Sequence, residues 1–259
     1  MVDEPALAER ASFGALTVLR AVSLDFGQTL ASLDPRFLAD RLRGRGFEAE
    51  EAKIEAAIPA AWAKYDEIVK QGITGHPWRD LMRVLLDGSG IPERFQEELV
   101  EWLWREQPRK NLWRKPIPGM FRLCLDLEHG GVPFGILSNS EGRLAELVDE
   151  MGWADVIRVV VDSGRVGVEK PDARIFEILA ERLGTSMSEV VHVGDSLAAD
   201  VMGALAAGMC AVWFTSATEL PHGVDPARVR IAHDAAGVRR AFEELGLDIP
   251  ALDRPIAWP

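Results

Sequence analysis

From residue 117 onward, the chain repeats one pattern: a short run of β-branched and other apolar residues, then a longer segment with helical periodicity. The strand-like runs are 132–137, 156–161, 190–193 and 209–214, and the helical segments are 119–128, 143–151, 172–183 and 198–207. Strands that alternate with helices pair in parallel through right-handed crossovers. The pattern therefore predicts an α/β fold with a doubly wound parallel sheet, which binds ligands at the carboxyl ends of its strands.

Residues 34–115 differ from the rest of the chain in composition and pattern. Ala, Glu, Leu and Arg dominate this segment, and turn signals at 72–77, 88–92 and 116–119 divide it into helices and close it off. A further strand-like run, 21–26, precedes it. We therefore predict a small and almost wholly helical domain, 34–115, inserted into an α/β core made of residues 1–33 and 116–259.

The tryptophans of the helical segment have two possible roles. Large aromatic side chains dominate the cores of small helical domains, so we expect most of them to pack inside the segment. One or two could instead face a ligand. The residues are Trp62, Trp78, Trp102, Trp104 and Trp113.

The overall charge and the cysteines limit the class of protein. The formal net charge is −12, whereas a nucleic-acid surface needs clustered Lys and Arg, so we predict small-molecule partners and no nucleic acid. Residues 1–10 are acidic where a signal peptide would be basic, and no apolar run approaches the roughly 20 residues of a membrane span. Cys124 and Cys210 lie far apart in apolar surroundings and are expected to be reduced core thiols. These features predict a cytoplasmic protein without a membrane partner, and they leave its oligomeric state open.

Polar residues follow the strand-like runs where a parallel sheet would bind a ligand, and Lys170 lies in the loop before the helix predicted at 172–183. Together they are Asp25, Thr29, Ser138, Asn139, Lys170 and Asp195. They belong to the segments LDFGQTL at 24–30, ILSNS at 136–140, GVEKPDARIF at 167–176 and HVGDSLAADVMGALAAGM at 192–209. In this order the four segments resemble the motifs of the haloacid dehalogenase superfamily, over about residues 20–215.

The resemblance implies a magnesium-dependent hydrolase whose inserted helices form a small cap. Asp25 would be the nucleophile that attacks phosphorus, giving an aspartyl intermediate that water cleaves. Asp195 and the backbone carbonyl of Gly27 would join Asp25 as ligands of Mg²⁺, which prefers oxygen. Lys170 would neutralise both Asp25 and the transferring group.

The resemblance also implies that the remaining motif residues bind the substrate or orient the groups that do. Ser138 and the backbone amide of Asn139 would donate hydrogen bonds to the substrate phosphate, and Thr29 is also expected to bind substrate. Asp200 would orient Lys170 or a metal-bound water, or would serve only as a charge partner at the start of a helix. The resemblance does not decide between these roles of Asp200.

One position departs from the family pattern. Phosphatases of the family carry a second Asp two residues after the nucleophile, in a DxDGT pattern, which protonates the leaving alkoxide and then activates water. Here that position is Gly27, and Gln28 replaces the following Gly. Because acid–base help is worth about 10²–10⁴ in rate, alkyl phosphate hydrolysis should be slow unless another group substitutes. The candidates are His76, Asp34 and Glu169.

Three functions remain open on the sequence. We expect a phosphatase-type hydrolase that acts on a small phosphorylated metabolite with impaired or atypical acid–base catalysis. A protein that binds a phosphate ligand or a partner without turnover is the alternative. Dehalogenases and phosphonate-cleaving enzymes of the family also lack the second Asp, but dehalogenases lack the paired carboxylates of GDSLAAD. No phosphonatase cap-lysine segment is recognisable, although Lys53, Lys64 and Lys70 are present.

Overall fold

The computed structural model of the protein describes residues 18–70 and 77–250, with the side chains of residues 66, 69 and 70 excepted. The acidic residues 1–10, most of the turn predicted at 72–77, and His76 lie outside this range. The strands are β1 (Ala21–Leu24), β2 (Ala31–Leu33), β3 (Trp113–Pro116), β4 (Phe134–Ser138), β5 (Val160–Asp162), β6 (Val190–Gly194), β7 (Cys210–Phe214) and β8 (Val229–Ala232). The α-helices are α1 (Pro35–Arg43), α2 (Glu51–Lys70), α3 (Trp78–Gly88), α4 (Glu93–Glu106), α5 (Met120–His129), α6 (Leu144–Glu150), α7 (Ser163–Val166), α8 (Ala173–Leu183), α9 (Gly203–Ala206) and α10 (Ala235–Glu244).

Six strands form one sheet in the order β5-β4-β1-β6-β7-β8, and every neighbouring pair in it is parallel. Helices cover both faces. Val22 and Leu24 pack on one face with α5 and α10, whereas Ala21 and Leu137 pack on the other face with α8 and α9. Successive strand residues point to opposite faces, so short apolar runs of this kind can be buried on both sides. The predicted doubly wound α/β fold is confirmed.

Helices α1 to α4 pack around a second apolar cluster, which includes Leu38, Ile54, Leu85 and Leu99. The chain enters α1 through Asp34, whose side chain accepts a hydrogen bond from the Phe37 amide at 3.0 Å. An Asp at this position satisfies one of the helix's free N–H groups. Among the described helices, none is both long enough and apolar enough to cross a bilayer.

The segment 34–115, expected to be almost wholly helical, ends in a strand. Residues from Trp113 form β3, which pairs antiparallel with β2 in a two-stranded ribbon. Pairing with Leu33 and Ser32, which are distant in sequence, overrides the local helical preference. This ribbon connects the four helices to the sheet.

The other differences between the predicted and the observed elements are smaller. Strand β5 is shorter than the predicted run 156–161. The sequence pattern did not predict β8 and α10, which follow the last predicted run, 209–214. The helix predicted at 198–207 begins as a π-helix, Leu197–Met202, and continues as α9. Of the two cysteines, Cys124 is buried and Cys210 is half-buried, and both are free thiols.

Candidate active site

Two carboxylates lie at the point where the strand order reverses. Asp25 follows β1 and Asp195 follows β6, the neighbouring strand. The chain leaves β1 toward β4 on one side and leaves β6 toward β7 on the other. A crevice opens at such a reversal in parallel sheets, and ligands bind there. The topology therefore places both carboxylates at the expected binding edge.

Lys170 connects the carboxylates through its ammonium group. Its Nζ donates hydrogen bonds to Asp25 Oδ1 at 2.7 Å, to the Leu137 carbonyl at 3.0 Å, and to Asp200 Oδ1. Only 5% of Lys170 is exposed. Although burial alone would lower its pKa, the charges of Asp200 and Asp25 raise the pKa of Lys170 above its usual value. The side chain is therefore a fixed positive charge at the centre of the site.

The Asn139 side chain fixes the backbone of Lys170. Its Oδ1 accepts a hydrogen bond from the Lys170 amide at 2.8 Å, and its Nδ2 donates to the Lys170 carbonyl at 3.0 Å. The sequence predicted only a role for the Asn139 backbone amide. The structure adds that this amide side chain holds the Lys170 loop against the end of β4.

Asp25 is bound asymmetrically. The Ser138 hydroxyl donates to Oδ1 at 2.8 Å, the same oxygen that accepts from Lys170. Oδ2 accepts no hydrogen bond from any described residue. A carboxylate can act as a nucleophile in an enzyme, and Oδ2 is the Asp25 oxygen that has no hydrogen-bond donor among the described residues.

The charge balance of the site favours a bound cation. Carboxylate oxygens of Asp25, Asp195 and Asp200 lie within 4.8 Å of one another. Burial raises the pKa of Asp25, with Lys170 opposing the shift and Asp200 adding to it. Burial and the charges of Asp200 and Asp25 raise the pKa of Asp195 well above its usual range. No side-chain donor among the described residues reaches the Asp195 carboxylate, so a hard cation would relieve this repulsion.

Asp200 is held in place on several sides. Its Oδ2 accepts from the Ser196 amide at 2.8 Å, and the adjacent Gly194 leaves room for it: a Cβ at Gly194 would lie 2.2 Å from Asp200 Cγ. Lys170 and His192 lower the pKa of Asp200 despite its burial. Asp200 contacts Lys170 and also lies in the first turn of its helix, so the geometry is compatible with two of the roles predicted for it.

A buried polar chain continues behind Asp200. His192 Nε2 lies 3.0 Å from Asp200 Oδ1, and His192 Nδ1 lies 2.6 Å from the Ser23 hydroxyl. Burial lowers the pKa of His192, which is fully buried. A neutral imidazole has one N–H, and the carboxylate can only accept, so Nε2 carries the proton and Ser23 donates to Nδ1. The chain fixes the orientation of Asp200.

Gly27 and Gln28 follow the nucleophile position in an unusual turn. Gln28 has φ of 56°, a left-handed conformation that suits the Gly of the family pattern better than a side chain. A Cβ built on Gly27 would lie 3.4 Å from Trp113 Cδ1 and 3.6 Å from Trp113 Nε1. An indole from the β2–β3 ribbon therefore lies beside the position of the second family Asp, at ordinary van der Waals distance. Thr29 is completely buried, and its hydroxyl has no hydrogen-bond partner among the described residues.

The other candidates for acid–base catalysis and for a cap lysine are placed elsewhere. Asp34 caps α1, and Glu169 is exposed. Lys53 pairs with Glu50, and Lys64 pairs with Glu67, both on the surface of α2. His76 and the Lys70 side chain are outside the described residues.

Comparison with known proteins agrees with the fold. The family model of haloacid dehalogenase-like hydrolases matches residues 14–208. The phosphoserine phosphatase of Thermus thermophilus is 30% identical over 210 residues, which cover 76% of this chain and 82% of the relative. The glyceraldehyde 3-phosphate phosphatase of Methanopyrus kandleri is 29% identical over 200 residues, covering 75% and 83%. The chain belongs to the haloacid dehalogenase-like hydrolase family.

Two solved structures extend the comparison of the fold. A HAD-hydrolase of Bacillus subtilis bound to magnesium has a TM-score of 0.63 at 19% identity and covers 89% of this chain and 100% of its own. A HAD family hydrolase of Deinococcus radiodurans with bound phosphate and sodium has a TM-score of 0.58 at 24% identity, covering 91% and 100%. At these identities the likeness supports the fold alone.

Two side chains of the site were not expected from the sequence, and Trp113 was expected only as one of five tryptophans of which one or two could face a ligand. His192 and Ser23 are polar residues inside otherwise apolar buried strands, a signal that could have drawn attention to them because such groups are rarely buried without partners. Trp113 lies beside Gly27 although the two residues are far apart in the chain, and no local pattern indicates this proximity.

Proposed function

We propose that this protein is a magnesium-dependent phosphatase-type hydrolase that acts on a small phosphorylated metabolite through an aspartyl intermediate at Asp25. The observation that carries the proposal is the geometry of Asp25: one carboxylate oxygen is fixed by Ser138 and Lys170, and the other is free at the ligand-binding edge of the sheet. The phosphatase relatives, whose names specify small phosphorylated substrates, support the substrate class.

The cluster of carboxylates fits a magnesium ion. Asp25, Asp195 and the backbone carbonyl of Gly27 would hold it, because Mg²⁺ prefers carboxylate and carbonyl oxygens together with waters. When bound, the ion supplies positive charge that allows a phosphate dianion to approach two buried carboxylates. Residues 34–115 are proposed as the cap that covers this edge.

The protein's own groups account for the first step. The free oxygen of Asp25 forms a bond to phosphorus while the bond to the leaving oxygen breaks, and the electron pair departs with that oxygen. Lys170 offsets the charge at Asp25, and the Asn139 amide binds a phosphate oxygen. The Ser138 hydroxyl can join it by exchanging its hydrogen bond to Asp25 for one to the phosphate, whereas the Thr29 hydroxyl is completely buried. Water then releases phosphate and restores the Asp25 carboxylate.

Gly27 limits this cycle, because neither Gly27 nor the indole beside it exchanges a proton near neutral pH. The departing oxygen must take its proton from water, so esters with stable leaving anions should react faster than alkyl esters. The same feature favours the second candidate function, a protein that binds a phosphate ligand without turnover.

Hydrolysis of para-nitrophenyl phosphate and of glycerol phosphate with Mg²⁺ separates the two functions. We expect turnover of the first that disappears in Asp25→Asn and persists in Asp149→Asn, a matched change on the exposed face of α6. Turnover that survives Asp25→Asn would refute the role of Asp25. If neither ester is hydrolysed but a metal–fluoride phosphate analogue binds, the binding function replaces the hydrolase.

A further inference from the structure

The space beside Gly27 is defined by one side chain. Apart from the chain neighbours of Gly27, the atoms of described residues within 4 Å of a Cβ built there are Trp113 Cδ1 and Nε1. Trp113 is half-buried, and its Nε1 donates no hydrogen bond to any described residue. The indole therefore presents an aromatic edge and an unused N–H next to the nucleophile loop.

The aromatic surface extends beyond Trp113. The ring of Trp62, from α2, lies 6.3 Å from Trp113 with an interplanar angle of 75°, and Tyr65 lies 5.2 Å from Trp62. Trp62 is also half-buried. The helical segment thus adds aromatic rings to the side of the site where residue 27 lacks a side chain.

We infer that Trp113 is a specificity-determining residue that selects aryl phosphates, phosphate monoesters whose leaving group is a phenol-type oxygen on an aromatic ring. The inference rests on the proposed function and names its substrate class. In phosphatases of the family, the side chain two residues after the nucleophile faces the leaving group. Here residue 27 has no side chain and the Trp113 indole lies beside that position. Indoles favour planar aromatic partners in edge-to-face or offset stacks.

The chemistry of such an ester matches the missing acid. As Asp25 Oδ2 bonds to phosphorus, the phosphorus–oxygen bond to the aryl group breaks, and its electron pair leaves on the oxygen as an aryloxide. Delocalisation into the ring stabilises this anion, which then takes a proton from water.

The test separates aromatic recognition from leaving-group stability. We would compare phenyl phosphate with 2,2,2-trifluoroethyl phosphate, a non-aromatic ester of an acidic alcohol, in the wild type, Trp113→Leu and Trp102→Leu. Trp102 is the control, since it is also half-buried in the helical segment but lies beneath the guanidinium groups of Arg41 and Arg45. We expect Trp113→Leu to raise KM for phenyl phosphate about three- to tenfold, the size of one aromatic contact. The KM for the trifluoroethyl ester should not change.

Equal losses for both esters, or no change for either, would overturn the inference and leave Trp113 as a packing residue of the ribbon. A binding measurement keeps the test independent of turnover and of the folding of the variant. Calorimetry with Mg²⁺ should show phenylphosphonate binding the wild type several-fold more tightly than ethylphosphonate. That preference without hydrolysis of either ester would support aryl recognition while the hydrolase function alone fails, whereas equal affinities would refute aryl recognition.

Discussion

Replacing Lys170 with Met should destabilise the protein far more than replacing an exposed lysine. Lys170 is the cation that contacts both Asp25 and Asp200 among the described residues, and all three side chains are at most 8% exposed. Removing one partner from a buried ion pair costs about 3–5 kcal/mol, because it leaves an uncompensated buried charge. For a chain of this size, we expect the melting temperature to fall by roughly 6–20 °C.

Lys115→Met is the matched control. Lys115 pairs with Glu55 at 2.9 Å, but both side chains are half-exposed or more. Exposed pairs contribute about 0–1 kcal/mol, so the melting temperature should change by only a few degrees. Both variants would be followed by differential scanning calorimetry without divalent cations.

Magnesium adds a second readout to this experiment. An ion that binds the folded state at a concentration 100 times its dissociation constant stabilises it by about 2.7 kcal/mol, so millimolar Mg²⁺ should restore part of the loss in Lys170→Met. The reasoning would be refuted if Lys170→Met and Lys115→Met lowered the melting temperature equally. A large loss that Mg²⁺ leaves unchanged would contradict the proposed cation site only.

Three further predictions concern single positions. Gly27→Asp should raise glycerol phosphate hydrolysis up to about 100-fold, because a Cβ there makes only an ordinary contact with Trp113; unchanged phosphate release would show that the missing acid is not the limiting defect. Ser23→Ala should lower the free energy of unfolding in urea by about 1–3 kcal/mol, since it leaves His192 Nδ1 buried without a donor. A loss below about 0.5 kcal/mol would argue against the tautomer of His192 that carries its proton on Nε2. Burial raises the pKa of Cys124 to about 12, so this thiol should not react with a disulfide reagent at pH 8 until the protein is unfolded. Rapid labelling of Cys124 in the folded protein would contradict its burial.

The sequence was most informative where structure is local. Short apolar runs separated by helices predicted the parallel sheet, and the polar residues that follow these runs predicted Asp25 and Asp195 at the same edge. Parallel strands bring their carboxyl ends together whatever their order, so this inference did not require the topology.

Features that depend on register or on distant pairing were not predictable in the same way. Ser23 contacts His192 because the two residues are direct partners in the pairing of β1 with β6. Trp113 lies beside Gly27 because β3 leaves the helical pattern to pair with β2. Neither relation is encoded in a local window, since each arises when segments far apart in the chain align.

The direction in which the Asp200 side chain points depends on the number of residues in the π-helix at Leu197–Met202. Residues on an α-helix advance by about 100° per position, so removing one residue between Ser196 and Asp200 would rotate the carboxylate away from Lys170. π-helical turns are rare and are found mostly as single wide turns within helices, often at functional sites. A relative with one residue fewer in this turn should therefore present a different side chain to its lysine, even if the aligned residues around the gap are identical.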